Sequence, residues 1–147
     1  MNSLLLLFHS TIRYFVLLFL ILVIVRSFMG WINKKEFSKT DDTASLWLFI
    51  LTHTQLLIGI FLFFVSSVVI FSGASMKDPV ARYWLVEHNT MMIIAIVLIT
   101  IARISMKKMT DHVSKHKRLF ILNTLAFVII VAAISMSGRG FFNLPAQ

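Results

Sequence analysis

The chain has 147 residues, 59% of them hydrophobic and only 14% charged, with a mean hydropathy of +0.89. A soluble domain of that length cannot hide so much apolar surface from water, so the composition describes a single domain that lives in a bilayer. The formal net charge of +8 comes with no basic–aromatic platform and no nucleic-acid motif, which argues against nucleic acid as a partner, and the lack of cysteine excludes disulfides, iron–sulfur clusters, thiolate metal sites and cysteine nucleophiles.

Four apolar stretches succeed one another, each longer than the ~20 residues needed to cross ~30 Å of hydrocarbon. The first, about 4–28, holds an unbroken apolar run from Tyr14 to Val25. No basic segment precedes it, no small-x-small site follows it, and Arg13 lies inside it, so it reads as a retained helix rather than a signal peptide. The second, about 43–71, is opened by Asp41 and Asp42 as capping acids. The third, about 79–104, starts with Asp78 as cap and Pro79 at the first helical position. The fourth, about 111–136, is opened by Thr110-Asp111. Gly30, Gly73 and Gly138 come after the first, second and fourth spans as helix stops, and the tail from Arg139 reads as an irregular end. Short connections make this an all-α, up-down-up-down four-helix transmembrane bundle. Trp31, Trp47, Tyr83 and Trp84 sit near span ends as interfacial anchors, and Phe61, Phe63 and Phe64 read as lipid or packing residues.

Lysine and arginine give the expected orientation. The first and third connections and their flanks hold Arg26, Lys34, Lys35, Lys39, Arg103, Lys107, Lys108, Lys115, Lys117 and Arg118; the opposite side holds only Arg13, Lys77, Arg82 and Arg139. The positive-inside rule then places both termini away from the cytoplasm.

Ionisable residues inside membrane spans are costly, so the histidines carry the functional argument. His9, His53, His88 and His116 fall one on each helix; His112 stands at the start of the fourth and reads as exposed. The topology predicts His9 and His88 in the outer half and His53 and His116 in the inner half, ~8–15 Å from their helix starts. Two imidazole pairs at opposite depths are what a two-haem b-type cytochrome requires, with axial ligands facing each other across the bundle. Arg13, one turn from His9, either pairs with a haem propionate or snorkels to the interface. Lys115, Lys117 and Arg118 flank His116 and either serve a second haem or make a solvated basic cap. Ala95 leaves room for a flat macrocycle two turns after His88, and Thr52, Thr54, Gln55, Asn89 and Asn123 can hydrogen-bond behind the ligands. Other readings stay open: interhelical hydrogen bonding for each histidine, a metal on His112 and His116 with Asp111, proton carriage by Glu87, and ligation by Met91 or Met92. The halves echo each other in His9-Ser10-Thr11 and His88-Asn89-Thr90, which suggests a two-fold axis along the membrane normal. There is no nucleophile elbow, no phosphate loop and no pair of carboxylates in a cleft.

Several strings together resemble a known family. Phe8-His9-Ser10 with Arg13-Tyr14, Thr52-His53-Thr54-Gln55-Leu56-Leu57-Ile58-Gly59, Met76-Lys77-Asp78-Pro79-Val80-Ala81-Arg82 with Val86-Glu87-His88, and Lys115-His116-Lys117 are similar to the small four-helix membrane proteins of Bacteroidetes commonly labelled cytochrome b. The resemblance covers most of the chain. It implies b-type haem, electron transfer and a bacterial inner-membrane location, in which the charge bias puts both termini on the periplasmic side; the layout is also similar, more loosely, to other transmembrane di-haem cytochromes. The expectation is a relay with two haem b groups, His9 and His88 ligating the outer and His53 and His116 the inner, with Arg13 on a propionate. Electrons would pass between a quinone pool or a redox protein and an acceptor. The competing expectation is a non-redox structural subunit of a larger membrane complex.

Overall fold

The computed structural model describes residues 2–141, and the tail beyond lies outside the described residues. Helix α1 runs Asn2–Ile32, α2 Lys39–Val65, α3 Pro79–Lys107 and α4 His112–Met136, all long and apolar enough to cross a membrane. This is the expected all-α four-helix architecture.

Polar side chains set the helix starts. Ser38 and Asp41 form a capping box: the Asp41 N–H donates to Ser38 Oγ at 3.2 Å, and the Ser38 N–H donates to Asp41 Oδ2 at 2.9 Å. The pair satisfies two otherwise orphaned donors and starts α2 at Lys39, four residues before the predicted start. Asp78 caps α3 with Pro79 behind it, and Asp111 caps α4 by accepting from the Ser114 N–H at 2.9 Å.

Two predicted helix ends move. Helix α2 stops at Val65 rather than near residue 71. Ser66 turns extended, and its hydroxyl sits 3.4 Å from the Val68 N–H as acceptor. The serine offers the backbone an alternative partner, and the β-branched run Val68-Val69-Ile70 does not restore the helix. Gly30 does not stop α1; it lies within it and is buried. Gly73 opens a short 3-10 turn instead of capping α2, whereas Gly138, at φ +71°, does stand just past the end of α4.

Around the bundle the order is α2, α1, α4, α3. The α1–α2, α1–α4 and α3–α4 pairs pack extensively, and α2 meets α3 far less. That junction is pinned where Arg103 Nη1 donates to the Asp42 carbonyl at 3.2 Å and to Ser45 Oγ at 3.1 Å. Ala95, Ala102, Ala126 and Ala133, all buried, let α3 and α4 approach closely. Leu20, Leu48, Ile99 and Leu119 form a fully buried apolar layer inside the bundle, and Met106 is fully buried one residue from the end of α3. One end of the bundle carries the basic connections and is called here the basic end; the other carries the start of α1 and the end of α4, and is called the terminal end.

Candidate functional site

On the terminal side of the apolar layer, α1, α2 and α3 bring polar groups together. Residues spaced three and four apart along α1 share a face, and His9 and Arg13 continue the stripe of Val16 and Leu20. On α3 a single π turn, Tyr83–Glu87, stands immediately before His88. A π turn rotates the helix beyond it about its own axis, and such turns recur at functional sites. Tyr83 is buried and its hydroxyl donates to the Ala133 carbonyl of α4 at 2.6 Å, with His88 Nδ1 3.5 Å away. The turn is therefore held by α4, and the His88 ring rests beside the held phenol.

The rings of His9 and His88 come together across the diagonal between α1 and α3, centroids 6.4 Å apart and planes at 70°. Helix α2 supports His9 from the side. Gln55 Nε2 donates to the His9 carbonyl at 2.7 Å, and Gly59 stands so close that a Cβ there would lie 3.3 Å from His9 Cε1. His9 Nδ1 is buried with no hydrogen-bond partner among the described residues. A buried polar atom left unpaired costs ~1–3 kcal/mol, so its retention calls for a ligand or another compensating role.

Two guanidinium groups gather beside the rings. Arg13 lies 5.0 Å over the Tyr14 ring, and Arg139 lies 4.6 Å over the Trp84 ring. Both act electrostatically on His9, and Arg139 also on His88. Arg139 sits below its usual value, first because burial strips its solvent and then because of the Arg13 charge, with Tyr83 opposing. Two like charges held together at a partly desolvated end make a seat for anionic groups. Sequence alone reads Arg139 as tail and Tyr83 as an interfacial anchor; only their placement brings them to the rings.

The expected inner couple is not assembled in the same way. His53 Nδ1 lies 2.8 Å from the Phe49 carbonyl one turn back, and its ring packs 4.1 Å from Phe49. With the proton on Nδ1, that bond leaves Nε2 as a lone pair. Yet His53 is half-buried, one position off the buried stripe of Asp41, Ser45, Leu48 and Thr52. His116 is 2% exposed, rests on Gly30, and has Nε2 3.4 Å from the Glu36 carbonyl. His53 lies fourteen residues into α2, ~21 Å along, and His116 four residues into α4, ~6 Å along. The two lie at different depths: Gln55, two residues beyond His53, reaches His9, whereas His116 rests on Gly30, twenty-one residues farther along α1. Their described ring contacts are with Phe49 and Phe37, not with each other.

Other candidates are occupied locally. His112 Nδ1 accepts the Phe37 N–H at 2.8 Å, and Glu87 pairs with Arg82 at 2.7 Å. Lys115 and Lys117 lie over the rings of Phe37 and Trp31 rather than at His116. Among the described residues no group of three or more His, Asp or Glu is placed to hold a metal ion.

A two-imidazole metal site is a matter of spacing. Two metal–nitrogen bonds of ~2 Å and two ring radii of ~1 Å span ~6 Å between centroids. The His9–His88 separation meets that, the unpaired His9 Nδ1 and the Gly59 cradle fit an imidazole kept clear of packing, and the two arginines match the two carboxylates of haem. Compared with family models, with curated proteins and with solved structures, the chain finds no match.

Proposed function

We propose that this protein is a b-type cytochrome of the small four-helix kind, holding haem between His9 and His88 and passing electrons in the outer half of a bacterial inner membrane. The observation that carries the reading is the meeting of His9 and His88 across the bundle at 6.4 Å, beside two guanidinium groups. Once bound, haem supplies reversible one-electron chemistry at iron.

The chain's own residues do the rest. His9 and His88 would be the axial ligands. Tyr83, fixed to Ala133, steadies the His88 ring and so its orientation toward the iron. Arg13 and Arg139 would take the propionates, and by cancelling their negative charge would favour the reduced state more than a neutral pocket would. The buried layer of Leu20, Leu48 and Ile99 keeps water from running through the bundle, so electrons are relayed without an open proton path. With ten of the fourteen basic residues at the basic end, that end faces the cytoplasm and the haem lies toward the periplasm. Electrons would pass between a quinone pool or a redox protein and an acceptor.

The two-haem version needs His53 and His116, which rest at different depths of the bundle, to meet. The accessory-subunit reading is favoured by a specific observation, the bonds of His53 and His116 to backbone carbonyls. Purification from haem-replete cells separates them. The one-haem reading expects a red protein, one haem per chain, a Soret band that shifts on dithionite reduction, and loss of pigment in both His9→Ala and His88→Ala. Two haems per chain would establish the larger relay, and a colourless, folded chain would leave the structural subunit.

A further inference from the structure

We infer that the basic end carries a binding site for the phosphate of an anionic phospholipid, built around the buried His116 imidazole and Lys35. The site is separate from the His9–His88 pair: Gly30, which carries His116, lies twenty-one residues along α1 from His9, ~31 Å away.

A cavity of about 280 Å3 opens here between α1, the 33–38 connection and the start of α4. His116 lines it. The ring lies against Gly30, where an added Cβ would come within 2.5 Å of both ring nitrogens, so α1 keeps a glycine at this position to admit the imidazole. The ring is 2% exposed, yet its Nδ1 has no hydrogen-bond partner among the described residues, and Nε2 has only the Glu36 carbonyl at 3.4 Å. An imidazole seated so closely and left unsatisfied fits a ligand that supplies an acceptor. A phosphate oxygen does so: in the tautomer with its proton on Nδ1, the ring donates to phosphate through that nitrogen.

The charges around the cavity favour an anion. Asp41 is neutralised by Arg26 at 2.8 Å, and Lys35 has no ion-pair partner among the described residues. The exposed Glu36 side chain opposes, but the whole basic end sets ten basic residues against Glu36, Asp41, Asp42 and Asp111. Lipid rather than free phosphate is indicated by the cavity's flank. Met29 lines it and is 46% exposed, continuing an apolar outer face through Val25 and Phe28 along which an acyl chain can lie. Basic pockets between transmembrane helices on the cytoplasmic side bind such head groups.

The test is native mass spectrometry of the full-length protein titrated with phosphatidylglycerol or phosphatidylcholine, alongside haem content. Preferential retention of phosphatidylglycerol is expected, weakened about fivefold in Lys35→Gln and in His116→Gln and less than about twofold in Lys108→Gln, which lies on the same end outside the cavity. Haem content is expected to be unchanged in all three. Equal retention of the two lipids, or equal loss in Lys35→Gln and Lys108→Gln, overturns the site. Displacement by inorganic phosphate as effective as by lipid makes it a free-anion site and overturns the lipid assignment. Loss of haem in His116→Gln returns the imidazole to cofactor ligation and overturns the proposal, while leaving the cytochrome reading standing.

Discussion

Two glycines carry two histidines, and the difference between them is a matter of ångströms. A methyl group at Gly30 would press into the buried His116 ring. Gly30→Ala should therefore lower stability by ~1–2 kcal/mol, overpacking outweighing the ~1 kcal/mol that alanine adds to helix propensity. At Gly59 the contact is 3.3 Å to His9 Cε1, tight but open to small adjustment. Gly59→Ala should be near neutral in stability and should shift the spectrum of the proposed haem by displacing His9. Denaturant titration in detergent reads the first effect and visible absorption the second. Tyr83→Phe should keep the bundle folded and the pigment bound but alter the reduction potential, because the hydroxyl that ties the π turn to Ala133 beside His88 is gone. The histidines, Arg13 and Gln55 are legible as candidates in the sequence because polar groups in apolar runs stand out. Tyr83 and Arg139 are not, since an aromatic or an arginine near a span end has an ordinary interfacial role in any membrane protein.

At the scale of the helix, starts are easier to read than stops. Asp78-Pro79 and Asp111 act where their chemistry places them. Asp41 is also a capping acid, but from inside the helix, through Ser38. The Asp111 carboxyl is held below the usual carboxylate value of 3.8, first by the Ser114 hydroxyl and then by the Ser114 N–H. A depressed folded value means the cap contributes fully above the unfolded value and is lost as pH falls through the lower folded one. The Ser114 amide resonance should therefore stay constant down to about pH 5 and move only at lower pH, and Asp111→Asn should keep the cap while abolishing that titration. Hydropathy overestimates the end of α2 because it continues through Val68, Val69, Ile70 and Phe71. The backbone turns at Ser66 regardless, since a hydroxyl that bonds its own chain breaks a helix without lowering apolarity.

For the molecule as a whole, the middle layer separates two polar ends. Leu20 is 0% exposed, and Leu20→Ala should cost ~2–5 kcal/mol through the cavity it leaves. The same variant, reconstituted in vesicles, should become leakier to protons than the parent chain, measured with an entrapped pH dye. The lack of native cysteine makes orientation directly testable. Gly73→Cys, with open space around it, should label from outside intact cells, and Lys108→Cys only after permeabilisation. The reverse pattern would invert the proposed topology and place the proposed haem site toward the cytoplasm.

Membrane residence, helix number and the way charge divides between the two ends are determined by the chain alone, because hydrophobic length and lysine–arginine bias are additive along it. Which histidines meet is not. Pairing depends on the registry of α2 against α1 and on one extra residue in the turn before His88, and a shift of one residue rotates a side chain by about 100° around its helix. That is why His9 and His88 come together while His53, equally prominent in sequence, points off the buried stripe. The gathering of Arg139 and Tyr83 at the same rings was likewise decided only when the helices packed, since groups far apart in the chain become neighbours through contacts that no local pattern records.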